Sequence, residues 1–225
     1  VETIYNDKEN LSLDDESIRL LEETYKSFIR SGAKLSTNDK EKLKQTNESI
    51  AENTTILTQN VLKEVNSLAI IVDDINELEG LSESMIEVLS EEAVKRGLND
   101  KFVITLQNTS GQPILASLKN RKLREKIHLT SLSRGSSGGE FDNRKIFLKL
   151  IKLRTEKANL LGFDNYAEYS LDEQTAKTVE AVNSRLSSLT PPSVRNANKE
   201  AIELQKIINS EGEDFKLESW DWDFY

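Results

Sequence analysis

Apolar residues recur at three- and four-residue spacing along most of the chain, the pattern of amphipathic helices. Ile18, Leu21, Tyr25 and Phe28 define one helix over about 14–31, with Gly32 as its stop. A second runs from near Ser36 to about 66 and places Leu43, Asn47, Ile50, Thr54, Leu57 and Val61 on one face, so polar side chains interrupt its seam. The pattern then changes. Three short runs, 68–72, 101–106 and 114–118, predict a small strand cluster. Between the first two lies a helix capped by Ser82 or Ser84 that turns Met85, Val88, Leu89 and Ala93 inward and ends at Gly97. Residues 108–113 read as a turn. Helical spacing returns over 120–134, pauses at the glycine-rich stretch 135–139, and resumes at Asp142 with Ile146, Phe147, Leu150, Ile151, Ala158 and Leu161 facing inward up to a cap at Gly162. Further helices are expected over 166–171, 179–189 and 192–210, the last with proline in its first turn. The expected class is mainly α, with a small β element near 68–118. The 225 residues read as one mostly helical unit, divisible at 118/119 into helices plus strand cluster and a helical remainder.

Composition narrows the classes of function. The longest uninterrupted apolar run is Leu68-Ala69-Ile70-Ile71-Val72, far short of the roughly 20 residues that span a bilayer, so no membrane partner is expected. A net charge of −9 disfavours nonspecific attraction to nucleic acid or anionic lipid. Charge is uneven, however. Residues 119–157 hold 12 Lys/Arg against 4 Asp/Glu, a local charge of +8. With only Phe141 and Phe147 interleaved, that stretch reads as a solvated or intramolecularly paired face, and no nucleic-acid partner is expected. Absence of cysteine removes disulfides, thiolate ligands and a thiol nucleophile. Both tryptophans fall in 220–225, an aromatic cluster that suggests a boundary inside a domain.

Candidate chemistry is sparse. His128 is the only histidine, so zinc ligation by H-E-x-x-H is impossible within these residues, and its helical neighbours favour a structural or surface role. Gly135 to Gly139 matches the G-x-S-x-G nucleophile pattern with Ser137 as the serine, but a helix precedes it where that elbow needs a strand. The same glycines, leading into a helix, suit a phosphate cradle; Glu140 and Asp142 occupy the place an anion would take. A capped interhelical loop fits better, with Arg134 and Arg144 available to a peptide carboxylate. Acidic pairs such as Asp73-Asp74 follow no metal-loop spacing, and no catalytic or metal-binding residue is expected in the chain.

Several longer strings, in one order, resemble the peptidyl-dipeptidase Dcp branch of the thimet-oligopeptidase-like zinc metallopeptidases. They are Arg19-Leu-Leu-Glu-Glu-Thr-Tyr25 with Phe28-Ile-Arg-Ser-Gly-Ala33, Gln59-Asn-Val-Leu-Lys-Glu64, Phe102-Val-Ile-Thr-Leu-Gln-Asn108 and Gly111-Gln-Pro113. More specific are Arg134-Gly-Ser-Ser-Gly-Gly-Glu-Phe-Asp-Asn143, Leu161-Gly-Phe-Asp-Asn-Tyr-Ala167, Asp172-Glu-Gln-Thr-Ala-Lys-Thr178 and Trp220-Asp-Trp-Asp-Phe-Tyr225.

The resemblance implies the helical N-terminal part of a clamshell metallopeptidase, in which zinc held by residues outside this chain activates water against a peptide bond. It implies removal of dipeptides from the C-termini of short peptides, with this chain supplying cleft wall and substrate access and a C-terminal catalytic part supplying the chemistry. The family's zinc and catalytic residues transfer to no position here. Arg134, Gly138, Gly139 and Arg144 become the candidate peptide-facing residues, and Trp220 to Tyr225 are expected to pack under a helix outside the chain. The expected location is the cytoplasm, with an exported one open because a signal peptide would precede Val1. The competing expectation is a helical interaction module built on the long helix over 36–66, without enzymatic activity.

Overall fold

In the computed structural model, residues 1–107 and 112–225 are described. The expected turn at 108–113 falls largely on 108–111, outside the described residues. The described residues form eight α-helices and one two-stranded sheet, a mainly α fold. The helices are α1 (Glu2–Asn6), α2 (Asp15–Arg30), α3 (Thr37–Ser67), α4 (Glu83–Lys95), α5 (Arg121–Leu132), α6 (Arg144–Leu160), α7 (Tyr166–Leu171) and α8 (Val179–Ser210). The strands are β1 (Ile70–Val72) and β2 (Phe102–Ile104). Contacts group the chain into two units, Val1–Thr55 with Ile146–Asn183, and Ile56–Lys145 with Ser184–Tyr225.

The helix ends follow their local chemistry. The Asp14 carboxylate accepts from the Ser17 N–H at 2.7 Å and opens α2. At its other end Gly32, at φ +92°, lets the Ala33 N–H reach back to the Phe28 carbonyl at 3.0 Å, the closure expected of a glycine stop. Ser82 caps α4 and Asn120 caps α5. In the first unit Arg30 fixes α7: its guanidinium donates to Asp172 at 3.1 Å and to the Tyr169 carbonyl at 2.5 Å, and stacks on the Tyr169 ring at 4.2 Å.

The second unit holds the larger core. Ile70, Val72, Ile104 and Leu106 pack with Leu78, Ile114, Leu115, Leu118, Leu123 and Ile127, and Met85, Ile86 and Leu89 of α4 close one side. Strands β1 and β2 pair antiparallel, Ile70 opposite Ile104 and Val72 opposite Phe102. The third expected strand, 114–118, is instead a 3₁₀ turn at Pro113–Ala116. Pro113 explains the difference. It has no N–H to give a ladder and its fixed φ suits the first position of a helical turn. Ile114, Leu115 and Leu118 still reach the core.

The close approach of two loops seals this core. The Lys119 N–H donates to the Glu79 carbonyl at 2.9 Å. Gly80, at φ +96°, lies so near the 117–119 backbone that a Cβ there would sit 2.1 Å from the Ser117 carbonyl oxygen. Gly80→Ala therefore combines a left-handed backbone with a backbone clash. A loss of about 2 to 3 kcal/mol is expected, read as a fall in urea midpoint with little change in m value.

Three helical faces differ from expectation. Val88 on α4 and Phe147 and Ile151 on α6 were expected inward but are 62%, 56% and 47% exposed, because Leu89 with Ala93, and Leu150 with Ala158, define the covered faces. On α3 the covered residues include Leu43, Asn53 and Glu64, whereas Asn47 and Thr54 are exposed. A seven-residue stride from Leu43 through Ile50 and Leu57 lands on Glu64, so the covered polar members of α3 are Asn53 and Glu64 and not Asn47 and Thr54. Finally, the two helices expected over 179–189 and 192–210 are one: α8 continues through Pro191 and Pro192. The missing proline N–H groups leave the Ser187 and Ser188 carbonyls without their usual helical donors. Around the pair, the Thr190 hydroxyl donates to the Leu186 carbonyl at 2.8 Å and the Ser188 hydroxyl to the Arg185 carbonyl at 2.7 Å. Among the described residues no helix is long and apolar enough to cross a membrane.

Candidate functional site

Two carboxylates hold the glycine-rich loop between α5 and α6, Glu64 of α3 and Asp142 within the loop. Glu64, near the end of α3 and 2% exposed, accepts short hydrogen bonds from the Gly135 N–H and the Ser137 hydroxyl. Asn143 closes the loop: its N–H donates to the Gly135 carbonyl at 2.9 Å and its side chain donates to the Leu57 carbonyl at 3.1 Å and accepts from Asn60 at 3.0 Å. The loop is thus pinned to α3 at several points.

Asp142 occupies the N-terminal end of α6. Its carboxylate accepts from the Gly138 N–H at 2.9 Å, the Arg144 N–H at 3.0 Å and the Arg144 guanidinium. Hydrogen bonds from the Arg144 guanidinium and N–H, with a further one from the Gly138 N–H, hold this carboxyl at about 2 against an ordinary 3.8. The protein supplies its own anion at the place where a bound phosphate would sit. Because the folded-state value is depressed, the stabilisation is present above the ordinary value and is lost as the pH falls from about 4 towards 2. Arg144→Gln is expected to return the Asp142 midpoint towards the ordinary carboxylate range, measurable by NMR titration of its side-chain carboxyl carbon.

The four candidate peptide-facing residues share this loop. Arg134 donates to the Ser131 carbonyl at 2.9 Å and the Leu106 carbonyl at 2.8 Å, so its guanidinium fastens the loop to the segment after β2. Arg144 has a side chain 65% exposed and is paired with Asp142. Gly138 and Gly139 are exposed, with Gly138 at φ +81°. The Ser137 hydroxyl is engaged by Glu64. The sole histidine, His128, instead meets the Ser219 hydroxyl at 2.9 Å. A serine-nucleophile arrangement is therefore not assembled, since no imidazole reaches Ser137.

Within this chain Trp220, Asp221 and Phe224 are held by arginines of α5, while Trp222 and Asp223 are exposed. Asp221 is fully buried and accepts from Arg121 at 2.8 and 3.1 Å, from Arg124 at 2.9 Å and from the Glu218 N–H at 3.0 Å. Burial pushes the Asp221 carboxyl up, but hydrogen bonds from Arg121 and Arg124 outweigh it and hold the group below its ordinary range. Arg124, 1% exposed, also donates to the Leu118 and Lys119 carbonyls at 2.9 and 3.1 Å. Phe224 stacks on Arg124 at 4.1 Å, while Arg121 lies over Phe215 at 4.0 Å and Trp220 at 5.5 Å. Alternating acids among the aromatics were the available signal: Asp221 needs buried cations, and Arg121 and Arg124 are three apart on one helix face.

Zinc, implied by the resemblance, finds no ligand set here. Among the described residues no group of three or more His, Cys, Asp or Glu is arranged to hold a metal, and Glu64, Asp142 and Asp221 are each engaged by hydrogen-bond donors of the chain. These residues do not fit the metal.

Comparison with known proteins agrees with the strings in the sequence. Residues 114–225 match the model of peptidase family M3. The dipeptidyl carboxypeptidase of Escherichia coli (strain K12) is 36% identical over 225 residues, covering 100% of this chain and 33% of that protein. Organellar oligopeptidase A, chloroplastic/mitochondrial, of Arabidopsis thaliana is 32% identical over 95% of this chain and 28% of its own length. Oligopeptidase A of Haemophilus influenzae is 28% identical over 92% of this chain and 31% of its own length. The chain spans about a third of the length of these curated relatives. The glycine loop and the Trp-Asp-Trp segment both fall inside the matched region, and the chain belongs to peptidase family M3.

Proposed function

We propose that this chain is a non-catalytic wall of a zinc-dependent peptidyl-dipeptidase or oligopeptidase that acts on the C-termini of short peptides. The observation that carries the reading is the match of this whole chain to a third of a dipeptidyl carboxypeptidase, over residues that offer no metal ligand set among those described. In this reading the chain shapes the cleft and limits access, and the water-activating metal is held by another part of the polypeptide. The pinned loop 134–144 is the peptide-facing element. Arg144 is its cation best placed for a peptide carboxylate, because most of its side chain is in solvent while Asp142 fixes its direction. Gly138 and Gly139 leave room for a peptide backbone beside it. A cytoplasmic location suits the same reading.

The test joins this chain, in place of the matching third, to the remainder of the E. coli dipeptidyl carboxypeptidase. The joined protein is expected to release C-terminal dipeptides from short peptides. Arg144→Gln is expected to raise KM roughly tenfold while kcat changes little, as for a group that binds substrate without entering the chemistry. An unchanged KM removes Arg144 from the cleft, and absence of cleavage by a folded joined protein contradicts the assignment of activity.

A further inference from the structure

Helix α8 is covered at one end and bare in its middle. Ile208 is fully buried, and Gln205 ties the same end to the returning segment by donating to the Phe215 carbonyl at 3.0 Å and accepting from the Leu217 N–H at 2.8 Å. From 183 to 200, in contrast, every residue but Pro192 is exposed. Leu186, Leu189 and Val194 are 56%, 44% and 52% exposed. Leu186, Leu189, Ala197, Leu204 and Ile208 follow one side of the helix at 3.6-residue periodicity, so the bare part continues the stripe whose end is already packed.

Local energetics make a bare middle costly. Two consecutive prolines remove helical hydrogen bonds, and Ser187, Ser188, Thr190, Ser193, Asn196 and Asn198 are weak helix formers. Helices without strong propensity depend on packing of an apolar face. The charge of the strip is one-sided as well: residues 181–199 contain Arg185, Arg195 and Lys199 and no acid, in a chain of net charge −9. Lastly, two thirds of the length of the E. coli relative lies outside the region that this chain matches.

We propose that residues 184–200 of α8 are a docking strip for that remaining part of a family M3 polypeptide, which covers Leu186, Leu189 and Val194 with an apolar ridge rimmed by acidic side chains. The inference rests on family membership and not on the peptidase activity. Docking supplies the burial that the proline-containing middle lacks and places an acid against Arg185, which flanks the stripe beside Leu189.

Hydrogen exchange followed by mass spectrometry tests it, comparing the 225-residue chain alone with the joined protein described above. Amides of 184–198 are expected to exchange quickly in the chain alone and at least about tenfold more slowly in the joined protein, with Leu186→Glu plus Leu189→Glu restoring fast exchange. Equal rates in the two proteins overturn the proposal. Slow exchange in the chain alone that depends on its concentration also overturns it, because a second copy is then the occupant. Should the joined protein not fold, the two parts are mixed as separate chains: slowing at 184–198 that the double substitution abolishes supports docking, and unchanged exchange overturns it. Activity separates this outcome from the functional reading. A joined protein that cleaves peptides yet leaves 184–198 unprotected defeats the docking strip alone, and one that protects the strip without cleaving supports docking and defeats the activity.

Discussion

Asp221→Asn is expected to cost about 3 to 5 kcal/mol of stability, the usual result of removing one partner from a buried ion pair. The carboxylate has no exposed surface, and every contact with Arg121, Arg124 and the Glu218 N–H points a donor at it. Asparagine keeps the shape but turns an amide donor towards guanidinium donors and leaves Arg124 charged and buried. Urea unfolding followed by tryptophan fluorescence is a direct measurement, since both tryptophans flank Asp221. The pH dependence carries a second signature. The folded-state carboxyl is held below its ordinary range, so its contribution is present above that range and is lost as the pH falls through the folded value. Asp221→Asn is expected to flatten this acid limb, whereas a merely structural asparagine-tolerant site would leave the limb unchanged.

Glu64→Gln is expected to cost about 2 to 3 kcal/mol, because a buried charged acceptor of two partly buried hydrogen bonds becomes a neutral amide with a donor facing Gly135 N–H or Ser137. The effect is expected to spread beyond α3. Gly135, Ser137 and Asn143 are linked, so amide exchange of 135–143 is expected to rise together while that of β1 and β2 stays unchanged. Ser137→Ala, which removes one donor and leaves Gly135 in place, is expected to cost about 1 kcal/mol. A Glu64→Gln protein as stable as the parent would show that Asn143, Asp142 and Arg134 hold the loop without Glu64.

Helix placement was legible because it depends on neighbours in sequence. Asp14, Ser82, Asn120 and the glycines at 32, 97 and 162 act within four or five residues of themselves, so both ends of α2 and α4, the start of α5 and the stop of α6 could be read directly. The helical spacing told which residues are apolar but not which apolar face is covered. Phe147, Ile151 and Val88 satisfied the period and stayed outside, because coverage is decided by distant parts of the chain. Pro191-Pro192 misled in the opposite direction: proline weakens a helix locally, yet α8 runs through it.

The candidate site divides along the same line. Gly135 to Gly139 stood out as a short motif, and its turn character followed from the glycines. Glu64 did not stand out, lying 71 residues from Gly135 in a helix that also carries Asp39, Glu41, Glu48 and Glu52. Only its register with Leu43, Ile50 and Leu57 distinguishes it. Asp221 was similarly hidden, since its two arginines lie 97 and 100 residues away. Buried polar anchors are set by tertiary contact, and a single sequence records them as ordinary charged residues.

Peptide hydrolysis by the purified 225-residue chain, supplied with zinc and then with a chelator, tests the central claim most directly. The account predicts no cleavage in either condition, with dipeptide release appearing only when the remainder of a family M3 polypeptide is joined to it. Chelator-sensitive cleavage by the 225-residue chain alone would place a metal site within these residues and contradict the account.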